Sequence, residues 1–167
     1  MNLTVTSGRD GAWLDWGAGK KRAAIGPSGI AVKAGEGDGI TPRGSFPVRE
    51  IFYRADRIAK PVTALPMRAI AREDGWCDEP NDPNYNRLVK LPYPASSEAM
   101  WREDHLYDLV VVMGYNDDPV VPAKGSAIFV HLATPSYSHT QGCVALALED
   151  ALAAIAQLQP GDKVVIG

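Results

Sequence analysis

The sequence predicts a mainly β fold: a meander or sandwich of short strands with one C-terminal helix and a long inserted loop. Sixteen glycines and thirteen prolines in 167 residues supply the turns that many short strands require. Apolar residues recur with a period of two, or in short unbroken runs, along most of the chain. Helical spacing occurs once, near the C-terminus.

In chain order, residues 3–6, 12–16 and 46–53 read as strands set between Gly-rich punctuation, and nothing before residue 70 has a helical period. This half is expected to be a β-meander. Within it, Gly37-Asp38-Gly39-Ile40-Thr41-Pro42-Arg43-Gly44 reads as a hairpin turn. Gly37, Gly39 and Gly44 can take positive φ, and Pro42 presets a bend. No catalytic part is expected of it.

Residues 71–108 change character. Nine acids against four bases give a local charge of −5, and Pro80, Pro83, Pro92 and Pro94 accompany two of the four tryptophans, Trp76 and Trp101. Turn chemistry with embedded aromatics predicts an ordered excursion inserted in one domain spanning 1–167. Two readings stay open for it: a lid or binding loop, or a decoration over an exposed sheet edge.

Strands return at Leu109-Val110-Val111-Val112-Met113, an unbroken run suited to burial on both faces. Residues 126–133 alternate, so Ile128, Val130 and Leu132 should point one way, with Phe129 and His131 the other. Leu148, Leu152, Ile155 and Leu158 recur at helical spacing, with Glu149 and Asp150 in the first turn and Pro160-Gly161 as the stop. Residues 163–166 make a closing strand.

Composition narrows the function. A net charge of −3 lacks the basic footprint of a nucleic-acid binder, and no apolar run approaches the ~20 residues of a membrane span. Two cysteines rule out a disulfide-stapled scaffold. A secretory leader needs a basic start and an apolar stretch, and residues 1–10 show neither. The expectation is a cytoplasmic protein, or a periplasmic one if the chain is a trimmed product.

The chemistry concentrates in residues 128–146. A strand delivers His131, a loop follows, and Gly142-Cys143 precedes the helical segment. Cysteine catalysis needs a thiolate, an imidazole in hydrogen-bond reach, and backbone N–H groups for the oxyanion. A nearby helix start would lower the thiol pKa. Alone, a free cysteine is more often a small buried hydrophobe, which is the reading given to Cys77. His131, His139 and Cys143 do not have the spacing of a structural zinc site, so no metal is expected, and no disulfide is expected between Cys77 and Cys143.

The stretch from His131 to Val144 resembles the signature of the L,D-transpeptidase catalytic-domain family, an upstream histidine followed by Ser/Thr-x-Gly-Cys-hydrophobic. Thr140-Gln141-Gly142-Cys143-Val144 fits its second half position by position. Residues 37–46 resemble the family's Gly-Asp-Gly-x-Thr-Pro-x-Gly-x-Phe element, in the family's order. The resemblance covers about 1–60 and 109–167, with the acidic excursion outside it. Two departures matter: Gln141 stands where a second histidine is common, and Ala145 where an arginine often anchors substrate.

The resemblance implies acyl transfer on the peptide stem of bacterial peptidoglycan, without a cofactor. Cys143 would attack the carbonyl at the L-centre of stem position three and expel the terminal D-residue. His131 would move the proton, and the N–H groups of Gly142 and Cys143 would hold the oxyanion. Thr140, Gln141 and His139 are expected to contact substrate, as are Tyr115 and Asn116 at the end of the strand over 109–113. His139 could instead serve as the base or shape its loop. The expected partner is a tetrapeptide stem, and a carbapenem is the expected inhibitor. Hydrolysis (L,D-carboxypeptidase action in murein recycling) is favoured over cross-linking because no leader is seen. A non-catalytic wall-binding module of the same fold is the reading from a different class.

Overall fold

The alternation read at residues 128–132 separates two apolar cores lying on opposite faces of one sheet. In the computed structural model, which describes residues 1–167, the chain forms β1 (Asn2–Gly8), β2 (Gly11–Asp15), β3 (Lys21–Ala24), β4 (Ile30–Ala31), β5 (Thr41–Pro42), β6 (Gly44–Tyr53) and β7 (Met67–Ala69). There follow β8 (Asp74–Cys77), β9 (Leu88–Lys90), β10 (Ser97–Ala99), β11 (Leu109–Met113), β12 (Phe129–Leu132), β13 (Val144–Leu146), α1 (Leu148–Ile155) and β14 (Lys163–Ile166). The fold is mainly β with one helix near the C-terminus, as expected.

The main sheet runs β11-β12-β13-β3-β2-β1-β14-β6-β7, and β6 also pairs with β11. Eight strands therefore close into a ring, and β7 hangs outside it. Closure leaves few free edges. The meander is real at β1–β2–β3, which pair antiparallel. The last strand, β14, then pairs parallel with β1 and antiparallel with β6, which closes the barrel with residues far apart in sequence.

Inside the ring, Leu3, Val5, Leu14, Ile51, Val111, Val130, Val144 and Val164 form the larger core, joined by Ala151, Ala154, Ile155 and Leu158. The helix buries alanines and Ile155, while Leu148 is exposed. Of the expected stripe, Ile155 and Leu158 are buried and Leu152 packs against the core, and only Leu148 falls outside it. Val110, Val112 and Phe129 point outward into a second core with Phe52, Trp76, Met100, Tyr107 and Cys143. The unbroken run at β11 is buried on both sides for that reason.

The excursion supplies the cover. It is not one long loop: β10-β8-β9 form a separate antiparallel sheet. Its Trp76 meets Phe129 edge-on at 5.0 Å, and Tyr107 meets it at 6.0 Å. Asp74 anchors it, accepting from Lys90 Nζ (2.7 Å), Arg68 Nη2 (3.0 Å) and the Ala71 N–H (2.8 Å). Asn86 ties it to the barrel: its Oδ1 accepts from the Trp76 indole (2.9 Å) and the Ala127 N–H (3.0 Å), and its amide donates to the carbonyls of Tyr115 and Asn116.

The Gly-Asp-Gly segment is not a hairpin. β4 and β5 pair parallel, so residues 32–40 form a crossover loop between them. Gly37, Gly39 and Gly44 do take positive φ. The loop is organised around Asp38, which accepts from Lys33 Nζ (2.5 Å) and from the N–H groups of Ala34, Gly35 and Ile40 (2.8, 3.1 and 3.0 Å).

Candidate active site

Strand β12 places His131 on the outward face, directly across from Ala145 of the parallel strand β13. Cys143 immediately precedes β13 and lies beside Phe129. Its sulfur accepts the Phe129 N–H (3.3 Å) and its thiol donates to the Ala127 carbonyl (3.2 Å). Gly142 before it has φ +129, and a Cβ there would stand 2.8 Å from the Ile40 carbonyl oxygen. Only glycine lets the crossover loop close against the segment that carries Cys143.

A cleft of about 620 Å³ brings the parts together. His131, Cys143, His139, Thr140 and Gln141 line it, as do Lys33, Glu36 and Gly37 of the crossover loop and Ser126. The opposite wall is the excursion: Asp78, Glu98, Arg102, Leu106 and Tyr107. Residues 71–108 therefore form part of the cleft wall and cover the outward face of β11–β12. Tyr85 extends the contact, donating to Glu36, which Ser126 Oγ also bonds at 3.0 Å.

Tyr115 and Asn116 are placed elsewhere, contrary to the expectation that they touch substrate. Tyr115 is buried against Phe46, and its hydroxyl donates to the Lys124 carbonyl (2.6 Å). Asn116 is spent on its own loop, donating to the carbonyls of Val121 and Gly125 (3.0 and 2.9 Å) and accepting the Val121 N–H (2.8 Å). Asp117 pairs with Arg49 (2.8 Å).

Three further expectations change. First, β13 stands between Cys143 and α1, so no helix start assists the thiol. Burial pushes its pKa up to about 12; the Phe129 N–H and Lys33 work against that rise, and Glu98 adds to it. Second, the Gly142 N–H donates to Thr140 Oγ1 (3.1 Å), while that hydroxyl donates to the Cys143 carbonyl (2.6 Å). Of the two expected oxyanion donors, only the Cys143 N–H has no partner within the protein. Third, no hydrogen bond joins His131 to Cys143.

His131 is held as one neutral tautomer. Its Nδ1 donates to the Leu132 carbonyl (2.9 Å), which fixes the tautomer with Nε2 unprotonated. Burial holds its pKa down to about 4, although the Leu132 carbonyl pulls the other way. The ring is thus neutral near pH 7. It packs at 5.3 Å on Tyr107, whose hydroxyl donates to Glu98 (2.6 Å). His139 is exposed, and its Nδ1 donates to the Ile25 carbonyl (3.2 Å), in keeping with shaping its loop. Cys77 is buried, and both cysteines are free.

Lys33, Glu36, Asp78, Glu98, Arg102 and Tyr107 were not singled out by the sequence. Asp38, flanked by two glycines and five residues after Lys33, carried the one available signal. Nothing local marks Glu98 or Tyr107, because they meet the cleft only through the folding of the excursion.

The comparisons agree with this geometry. A family model for the L,D-transpeptidase catalytic domain (YkuD) matches residues 5–166, excursion included. No curated protein and no solved structure matches the chain. With nearly the whole barrel matched and the cysteine and histidine facing one cleft, the chain belongs to the L,D-transpeptidase catalytic-domain family.

Proposed function

We propose that this protein carries out cysteine-dependent acyl transfer at the L,D peptide bond of peptidoglycan tetrapeptide stems, and that water is its main acceptor. The observation that carries the reading is the shared cleft, in which Cys143, a neutral His131 and the unpaired Cys143 N–H meet.

Attack requires the thiol to leave the Ala127 carbonyl and pass its proton to His131 Nε2 as sulfur bonds to the substrate carbonyl. His131 then gives that proton to the departing amine of the D-residue. Water attacks the thioester and releases a tripeptide. The wall formed by Asp78, Glu98, Arg102, Leu106 and Tyr107 favours a small soluble stem peptide over a polymeric acceptor. Cytoplasmic turnover of such peptides accompanies the reading as part of the proposal. Incubation with disaccharide-tetrapeptide, followed by mass analysis, tests it. Disaccharide-tripeptide is the expected product, and cross-linked dimers as the main product would replace hydrolysis with transpeptidation.

A second reading, a wall-binding module without turnover, draws on one observation: the thiol is buried, hydrogen-bonded and raised to about pKa 12. It predicts that neither a carbapenem nor iodoacetamide ever modifies Cys143. The catalytic reading expects a carbapenem adduct on Cys143 by mass spectrometry.

A further inference from the structure

The oxyanion site described above is short of one donor. With the Gly142 N–H turned to Thr140 Oγ1, the Cys143 N–H is left alone to meet the negative oxygen of a tetrahedral intermediate. Ala145 leaves no arginine two residues beyond the nucleophile. The cation nearest this peptide comes instead from the crossover loop. Lys33 lines the cleft, its side chain is only 3% exposed, and its Nζ lies 3.6 Å from the position a Gly142 Cβ would occupy.

An ammonium has three protons. One goes to Asp38 Oδ1 (2.5 Å) and one to the Ile40 carbonyl (3.2 Å), while the third has no acceptor in the protein. Asp38 does not need the lysine to hold the loop, since three backbone N–H groups already bind it. A desolvated charge with a spare proton beside the nucleophile is costly to the fold, yet it is the arrangement that stabilises developing negative charge. Arg102, the other cation of the cleft, is committed to Asp104 (2.7 Å) and stacked over Tyr107.

Resting on the acyl-transfer reading, we propose that Lys33 supplies the second oxyanion contact, its free N–H donating to the substrate oxygen alongside the Cys143 N–H. As the Cys143 sulfur bonds to the carbonyl carbon, the C=O π pair moves onto oxygen and the thiol proton moves to His131. The oxygen then sits between the Cys143 N–H and the Lys33 ammonium. On collapse the pair returns, the C–N bond breaks, and the amine leaves with the proton from His131. Lys33 stays protonated throughout, with Asp38 holding its charge.

The test uses the double variant Lys33→Met with Asp38→Asn, which removes the cation without stranding a buried carboxylate. The expected result is a fall in kcat on tetrapeptide of about 100-fold, with KM little changed. Iodoacetamide alkylation of Cys143, which builds no oxyanion, should slow far less than kcat, only by the loss of the charge that Lys33 sets beside the thiol. Unchanged kcat overturns the proposal. So does a parallel loss of alkylation, which would make Lys33 a modulator of the thiol, and so does a rise in KM at constant kcat, which would make it a carboxylate anchor. Should the double variant not fold, Lys33→Gln, which keeps a neutral donor to Asp38, must show the same kcat loss, and retained kcat there overturns the assignment. Wild-type protein that neither cleaves tetrapeptide nor forms a carbapenem adduct removes the acyl-transfer reading and this proposal together. Activity in the wild type that survives both variants removes Lys33 alone.

Discussion

The two faces of β11 and β12 are built from similar side chains and do different work. Leu109, Val111, Val130 and Leu132 point into the ring and join the larger apolar core. Val110, Val112 and Phe129 point outward into a smaller core that also holds Cys143 and borders His131. The inner face is stabilised by burial of apolar area alone. The outer face must also satisfy polar groups, and it does so with partners far away in the chain: Asn86 for Ala127, Ala127 for Cys143, and Lys33 beside Gly142. The same sheet thus carries the larger core on one side and the cleft on the other.

The sharpest way to separate the faces is to remove the nucleophile. Cys143→Ala should lower turnover of tetrapeptide by about four orders of magnitude or more while the thermal midpoint shifts little, as steady-state kinetics and calorimetry would show. Truncation on each face comes next. Leu146→Ala, inside the ring, should cost about 2–5 kcal/mol in denaturant unfolding, and Phe129→Ala, outside, about 3–5 kcal/mol. Only the outer variant should also lower kcat, because the Phe129 ring supports Trp76 and Tyr107, and Tyr107 packs on His131. Equal kcat losses in the two would erase the distinction.

Asn86→Ala should cost about 1–3 kcal/mol, since it strands the buried Trp76 and Ala127 N–H groups. Two cleft residues each contribute a limb to the pH dependence of stability. Between pH 6.5 and about 4 the unfolded chain gains a proton at His131 that the folded chain refuses, so stability falls as pH drops through that window. Between 9.0 and about 12 the unfolded chain loses a thiol proton that Cys143 keeps when folded, so stability also falls as pH rises there. Cys143→Ser should reduce the alkaline limb of a denaturation-versus-pH series without abolishing it, because Tyr85, Tyr107 and Tyr115 are also raised, and should leave the acid limb. The smallest effect belongs to the surface: breaking the half-exposed Arg49–Asp117 pair with Asp117→Asn should change stability by less than about 1 kcal/mol.

Local pattern made much of this legible. The unbroken run at 109–113, the alternation at 128–132 and the closing strand at 163–166 all stand where hydrophobic period puts them. The His131 and Gly142-Cys143 motif placed the cleft's cysteine and histidine in one neighbourhood. Short polar strands were not legible: β3 reads Lys-Arg-Ala-Ala, and β8–β10 lie among prolines and acids whose turn chemistry outweighs strand propensity over three or four residues.

By itself the sequence determined the class of fold, the family and the cysteine and histidine that share the cleft, because period and motif are properties of neighbouring residues. Ring closure through β6–β11, the resting bond of the thiol to Ala127, the loss of Gly142 as an oxyanion donor, and the arrival of Lys33, Glu98 and Tyr107 at the cleft were decided only by tertiary structure. Each of these depends on burial or on contacts between residues distant in the chain, which no local pattern encodes.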